Sequence, residues 1–117
     1  MTRALKSGAH LSAARHVATY AERPGFRIVE ILIAEGQEIP WHSHSNITDT
    51  MYVLDGDLVV SVREPMEEVE LGPGDTCVLG PGRPHRIVTK GPGLATFLVL
   101  QGLGEYDFVP GDSPDSN

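Results

Sequence analysis

The sequence predicts an all-β fold, a sandwich or barrel built from six to eight short strands. Three observations carry that expectation. Short runs rich in Val, Ile and Leu recur along the chain, as half-buried pleated surfaces favour. The 13 glycines and 9 prolines fall between those runs as turn punctuation. Asp55-Gly56, with apolar residues on both flanks, is a strong hairpin signal.

Taken in order, Leu11 to Tyr20 (LSAARHVATY) fits an edge strand or one short helix, since neither period dominates. Phe26 to Ala34 (FRIVEILIA) is rich in β-branched residues and stops at Glu35-Gly36, with Arg27 and Glu30 on opposite faces. Gly36 to Gly56 reads mostly as strand: Thr50 to Leu54 leads into Asp55-Gly56, and Asp57 to Arg63 (DLVVSVR) is the expected hairpin partner. Glu67 to Leu71 follows Glu64-Pro65, and Gly72-Pro73-Gly74-Asp75 turns the chain again. Thr76–Leu79, His85–Thr89 and Leu94–Gln101 complete the set. The expected organisation is an N-terminal arm over residues 1–22, a barrel over 23–109 and a polar, disordered tail over 110–117.

At 117 residues, one domain is expected. The net charge of −7 argues against a nucleic-acid partner, which would want a basic stripe. No apolar run approaches the roughly 18–20 residues needed to span a bilayer, and residues 1–16 lack the apolar core of a secretory signal. A cytoplasmic protein with neither a nucleic-acid nor a membrane partner is therefore expected. Cys77 is the only cysteine, so an intrachain disulfide and a cysteine-rich zinc site are excluded, and it reads as a buried structural thiol.

The chemistry concentrates in a few residues. His42 and His44 are two apart in a segment that reads as strand, so both project from one face about 6–7 Å apart along the chain. Asp49 adds a carboxylate five residues later, and His85 follows a second Gly/Pro-rich stretch. Any one histidine alone reads as a surface or core residue with its own hydrogen bonds. The set reads as a site for one divalent transition metal, and imidazole plus carboxylate suits Fe, Mn, Co, Ni, Cu or Zn alike.

These residues match a family pattern. Gly36, five residues, His42-Ser43-His44, a four-residue gap, Asp49, six residues and Gly56 resemble the first motif of the cupin superfamily. Gly74-Asp75-Thr76-Cys77-Val78-Leu79-Gly80-Pro81-Gly82-Arg83-Pro84-His85 resembles its second. The resemblance, to small single-domain cupins, implies a double-stranded β-helix (jelly-roll) barrel with His42, His44, Asp49 and His85 as metal ligands facing its interior. It also implies a homodimer, with the N-terminal segment taking part.

Three residues depart from the pattern. Gly80 replaces a proline of the second motif, Thr89 stands at the usual asparagine position, and Asp49 stands where the family carries glutamate. Direct ligation by Asp49 is the expectation. If the shorter side chain falls short, a three-histidine site results and Asp49 becomes a nearby catalytic base or a support for a ligating histidine.

With the ligands inward, alternation points Met51 and Val53 beside Asp49, and Ile87 and Thr89 beside His85, at a small-molecule pocket, although such residues also simply fill small barrels. Arg83 is a candidate for bidentate binding of an anionic substrate. Trp41, on the face opposite the histidines, reads as a packing residue. Tyr106-Asp107-Phe108 either covers the barrel mouth or packs outside it. His10 and His16 are not expected to ligate. Beyond the ligands, acid–base candidates are few: Tyr52, Glu30 and Tyr106.

The resemblance covers dioxygenases, decarboxylases, sugar isomerases, lyases and polyketide cyclases, so it implies a metal-dependent enzyme acting on a small oxygenated metabolite without naming the reaction. The alternative is a binding or sensing module that holds a small ligand through the metal without turnover. A metal-free cupin of the sugar-epimerase kind is disfavoured by the full histidine set.

Overall fold

The computed structural model describes residues 14–103 and 108–111. Within them the period-two patterning becomes ten strands and no helix: β1 (Arg15–Arg23), β2 (Phe26–Ile33), β3 (Glu38–Ser43), β4 (Thr48–Asp55), β5 (Leu58–Val62), β6 (Glu67–Leu71), β7 (Thr76–Leu79), β8 (His85–Thr89), β9 (Ala95–Gly102) and β10 (Val109–Pro110). Two five-stranded antiparallel sheets result, in the orders β1-β2-β9-β4-β7 and β10-β3-β8-β5-β6. This is the all-β double-stranded β-helix expected. None of the described residues forms a helix long and apolar enough to cross a membrane.

The inner strands bury alternate residues between the sheets. Along β9, Ala95, Phe97, Val99 and Gln101 face inward while the residues between them are more exposed. Ile33, Met51, Val53, Leu58, Val60 and Phe97 are almost wholly removed from water and form the centre of the core. That burial is the main stabilising term in so small a domain.

The ambiguous N-terminal segment is an edge strand. β1 pairs with β2 from Arg15 to Arg23 and exposes most of its side chains, and the Tyr20 hydroxyl donates to the Glu30 carboxylate on β2. Residues 11–13 lie outside the described residues. So do residues 112–117, most of the tail expected to be disordered. Its first two residues are ordered against β3: Pro110 pairs with His42, and the Gly111 amide donates to the Trp41 carbonyl at 2.9 Å.

One expectation is corrected. Asp55-Gly56 does not close a hairpin: β4 pairs with β7 and β9, while β5 pairs with β6 and β8 in the other sheet. Gly56 has φ +81°, and a Cβ there would lie 2.3 Å from the Leu94 carbonyl oxygen. The turn therefore packs against the start of β9 and carries the chain from one sheet to the other. An Asp-Gly pair supplies a left-handed turn but does not choose the partner.

Candidate metal centre

Two cross-strand pairs, one from each sheet, build the site. His42 at the end of β3 pairs with His85 at the start of β8, and Asp49 on β4 pairs with Gln101 on β9. β3 carries an irregularity between Ile39 and His42, at Pro40-Trp41, which sets the inward direction of His42. His44 lies just past β3, where the Gly82 amide donates to its carbonyl at 2.7 Å and ties the two motif loops together. All four candidate ligands are buried.

The imidazoles are held by backbone carbonyls. Nδ1–H of His42 donates to Pro40 O at 2.8 Å, and Nδ1–H of His85 to Arg83 O at 3.0 Å. A carbonyl only accepts, so each ring carries its proton on Nδ1 and turns the Nε2 lone pair toward the interior, the usual support of a metal-binding histidine. Nε2 of His85 is buried without a hydrogen bond, 3.8 Å from Asp49 Oδ2, and Nε2 of His44 lies 3.1 Å from the same oxygen. The other Asp49 oxygen, Oδ1, accepts from Gln101 Nε2 at 3.1 Å.

One potential ligand atom from each of His42, His44, Asp49 and His85 lies within 4.8 Å of the others. Ligands at about 2.0–2.2 Å from one ion stand at most about 4.4 Å apart. Only ligands on opposite sides of an ion reach that limit and neighbouring ones stand closer, so the four atoms would draw together on binding one ion. The donor set, three nitrogens and one carboxylate oxygen, suits a divalent transition metal.

The electrostatics favour a cation. Burial lowers the His42 pKa to about 4, and His85 adds to the effect. Burial likewise lowers that of His85. Burial alone would raise the Asp49 carboxyl, but hydrogen bonds and charges from His44, Gln101 and His85 outweigh it and hold the group below the usual carboxylate range. At neutral pH, His42 and His85 are neutral and Asp49 is ionised, the forms in which these groups coordinate metal.

The remaining sequence candidates are placed as follows. Met51 and Ile87 line the cavity at the four ligands, together with Val29, Ile39, Phe97 and Val99. Val53 is buried in the core away from that cavity, and Thr89 is half-buried at the far end of β8 opposite Leu58. Arg83 is turned away: its guanidinium donates to Arg63 O at 2.9 Å and Pro65 O at 3.1 Å, and lies 3.4 Å from Glu67. Trp41 packs under the Arg63 guanidinium, 4.3 Å from the ring centroid. His16 bonds Thr19 on the exposed edge strand, Tyr52 faces solvent, and Cys77 is half-buried against the core. His10 and residues 104–107, with Tyr106 and Asp107, lie outside the described residues.

The Phe108 ring stacks on His42 at 4.4 Å and 9°, at the edge of the ligand cavity. Two site residues have no counterpart among the sequence candidates for the site: Gln101, and Arg27, whose Nε donates to Gln101 Oε1 at 2.5 Å. Both occupy inward positions on strand faces that are otherwise apolar. A polar residue in an inward series was the available signal.

A two-sheet β-barrel enclosing three histidines and a carboxylate defines a protein of the double-stranded β-helix class. Residues 29–101, well over half of the chain, match the family Cupin_2, the cupin domain, and the chain belongs to that family. Among solved structures, it resembles a double-stranded β-helix domain protein of Klebsiella pneumoniae subsp. pneumoniae MGH 78578 (23% identity, 86% of this chain and 85% of that one, TM-score 0.75). It also resembles an oxalate oxidase (22%, 74% and 46%, TM-score 0.68) and the oxalate decarboxylase of Lactobacillus farciminis (19%, 74% and 27%, TM-score 0.67). At these identities the likeness is one of fold, and the chain spans less than half the length of either oxalate enzyme. No curated protein matches the sequence.

Proposed function

We propose that this cupin binds one divalent transition metal through His42, His44, Asp49 and His85 and is an enzyme acting on a small oxygenated metabolite. The observation that carries the reading is the Asp49 carboxylate beside the buried Nε2 atoms of His44 and His85, one of which makes no hydrogen bond. Burying such polar atoms together is costly unless a cation joins them. Once bound, the ion supplies Lewis-acid polarisation of a substrate oxygen and, for a redox-active metal, electrons for oxygen chemistry. The protein's part is to hold the imidazoles in one tautomer, keep Asp49 ionised and exclude bulk water with Phe108 and the apolar wall. Met51 and Ile87 belong to that wall in this reading.

A non-catalytic ligand-binding module is the second reading. It is favoured by one observation: of the acid–base candidates in the sequence, Tyr52 and Glu30 lie away from the cavity. Turnover would then depend on the metal and Asp49. A homodimer and a cytoplasmic setting are part of the proposal, the first to be checked by light scattering.

The first test is calorimetry of chelator-treated protein with Mn, Fe, Co, Ni, Cu and Zn salts. One equivalent should bind, and His44→Ala should abolish stoichiometric binding; binding retained in that variant would remove the assignment. Assay of the loaded protein against uronates, diketones, flavonoid-like compounds and small carboxylic acids, in air and under nitrogen, then separates oxygenase from non-redox chemistry. Ligand binding without turnover would favour the module.

A further inference from the structure

The cavity at the four ligands has a volume of about 130 Å³. Ordinary small-molecule sites span roughly 300–1,000 Å³, so this one admits little more than the oxygenated head of a ligand. Phe108, stacked on His42, occupies part of its rim. A second cavity of about 330 Å³ lies at the turn between β1 and β2, lined by Glu22, Arg23, Pro24, Phe26 and Ile47. Arg27 and Gln101 line both cavities. The two cavities meet at these residues, which connect to Asp49 through hydrogen bonds of 2.5 Å and 3.1 Å.

We propose that the second cavity is the tail subsite of the substrate, and that it selects a carboxylic acid whose carboxylate is held by Arg27 while its oxygenated head reaches the metal. The inference rests on the metal reading above and adds the substrate class. Three features support it. The recess carries two arginines, Arg23 and Arg27, against the single acid Glu22. Arg27 is oriented in advance through its Nε bond to Gln101, and a guanidinium matches a carboxylate in a planar, two-point contact. Phe26, half-buried at the recess, offers apolar surface to the carbon atoms of the ligand. A singly charged carboxylate fits better than a doubly charged phosphate, because ionised Asp49 is linked to Arg27 through Gln101.

The test uses zinc as the metal, glutarate as the acid probe and glutaramide as its neutral counterpart, all followed by calorimetry on the full chain. Zinc binding is measured first, alone. The zinc-loaded protein should then bind glutarate at least tenfold more tightly than glutaramide. Arg27→Gln should remove that preference. Because Arg27 also orients Gln101, Arg23→Gln is the second variant: it lies outside the link to Asp49 and should weaken glutarate binding severalfold with zinc affinity unchanged. Wild-type protein that fails to bind zinc would overturn the metal reading and this inference with it. Zinc binding accompanied by equal affinity for the two probes, or by glutarate binding unmoved in either variant, overturns the tail subsite alone.

Discussion

Asp49 is one methylene shorter than the glutamate expected at its position, yet its carboxylate reaches His44 and His85. Its cross-strand partner explains how: Gln101 takes Oδ1 as an acceptor, which turns Oδ2 toward the histidines, and Arg27 fixes which end of the Gln101 amide faces Asp49. Gln101→Leu keeps the volume and removes the hydrogen bond. It should weaken metal affinity by about 10–100-fold, the usual cost of losing a support behind a ligand, as read by calorimetry. The histidines predict a pH dependence. The folded His42 and His85 have lowered pKa values, so the unfolded chain binds more protons than the folded one once the pH drops below about 6.5. Stability of the metal-free protein is therefore full above that pH and falls as the pH approaches 4, with His42 alone accounting for about 3 kcal/mol. Thermal melts in chelator between pH 7.5 and 4.5 would show it; a flat profile would contradict it. At this scale the sequence revealed the four candidate ligands, which the fold gathers within 4.8 Å, through their types and spacing. Gln101 and Arg27 were also visible, as polar residues in inward series, but alternation counted along the ligands' own strands does not reach them.

Most of the strands were readable because runs rich in Val, Ile and Leu are closed by Gly, Pro or Asp. Their partners were not. The Asp55-Gly56 turn shows why: the dipeptide encodes a left-handed bend, whereas the contact that sends β5 to the other sheet is with Leu94 and Ala95, some forty residues away. Two substitutions separate the two demands on the glycine. Gly36 has φ +83° and no atom within 4 Å of where a methyl group would sit, so Gly36→Ala meets only the backbone penalty, about 1–2 kcal/mol. Gly56→Ala adds a collision with backbone and should cost roughly 2–4 kcal/mol. Urea midpoints at unchanged slope would measure both. A similar cost for the two would mean that the close approach at Gly56 relaxes freely. β1 was undecidable between helix and strand for a related reason: its period is weak because, as an edge strand, it buries little on either face.

At the scale of the whole molecule, the inward alternation of apolar residues carried the barrel, and the core from Ile33 to Phe97 follows from it. What alternation could not carry was the enclosed space, since the two cavities meet at Arg27 and Gln101, residues from strands more than seventy positions apart. Metal at 100 times its dissociation constant should add about 2.7 kcal/mol to folding stability, visible as a raised melting temperature that Gln101→Leu reduces and chelator reverses. The division of the ligands between the two sheets has a mechanical consequence. His42 and His85 belong to one sheet and Asp49 to the other, so a single ion held as proposed would be a rivet through both walls of the barrel. Driving it in should stiffen the molecule against splaying, and amide exchange should slow together on β3, β8, β4 and β9, far more than on the unriveted edges.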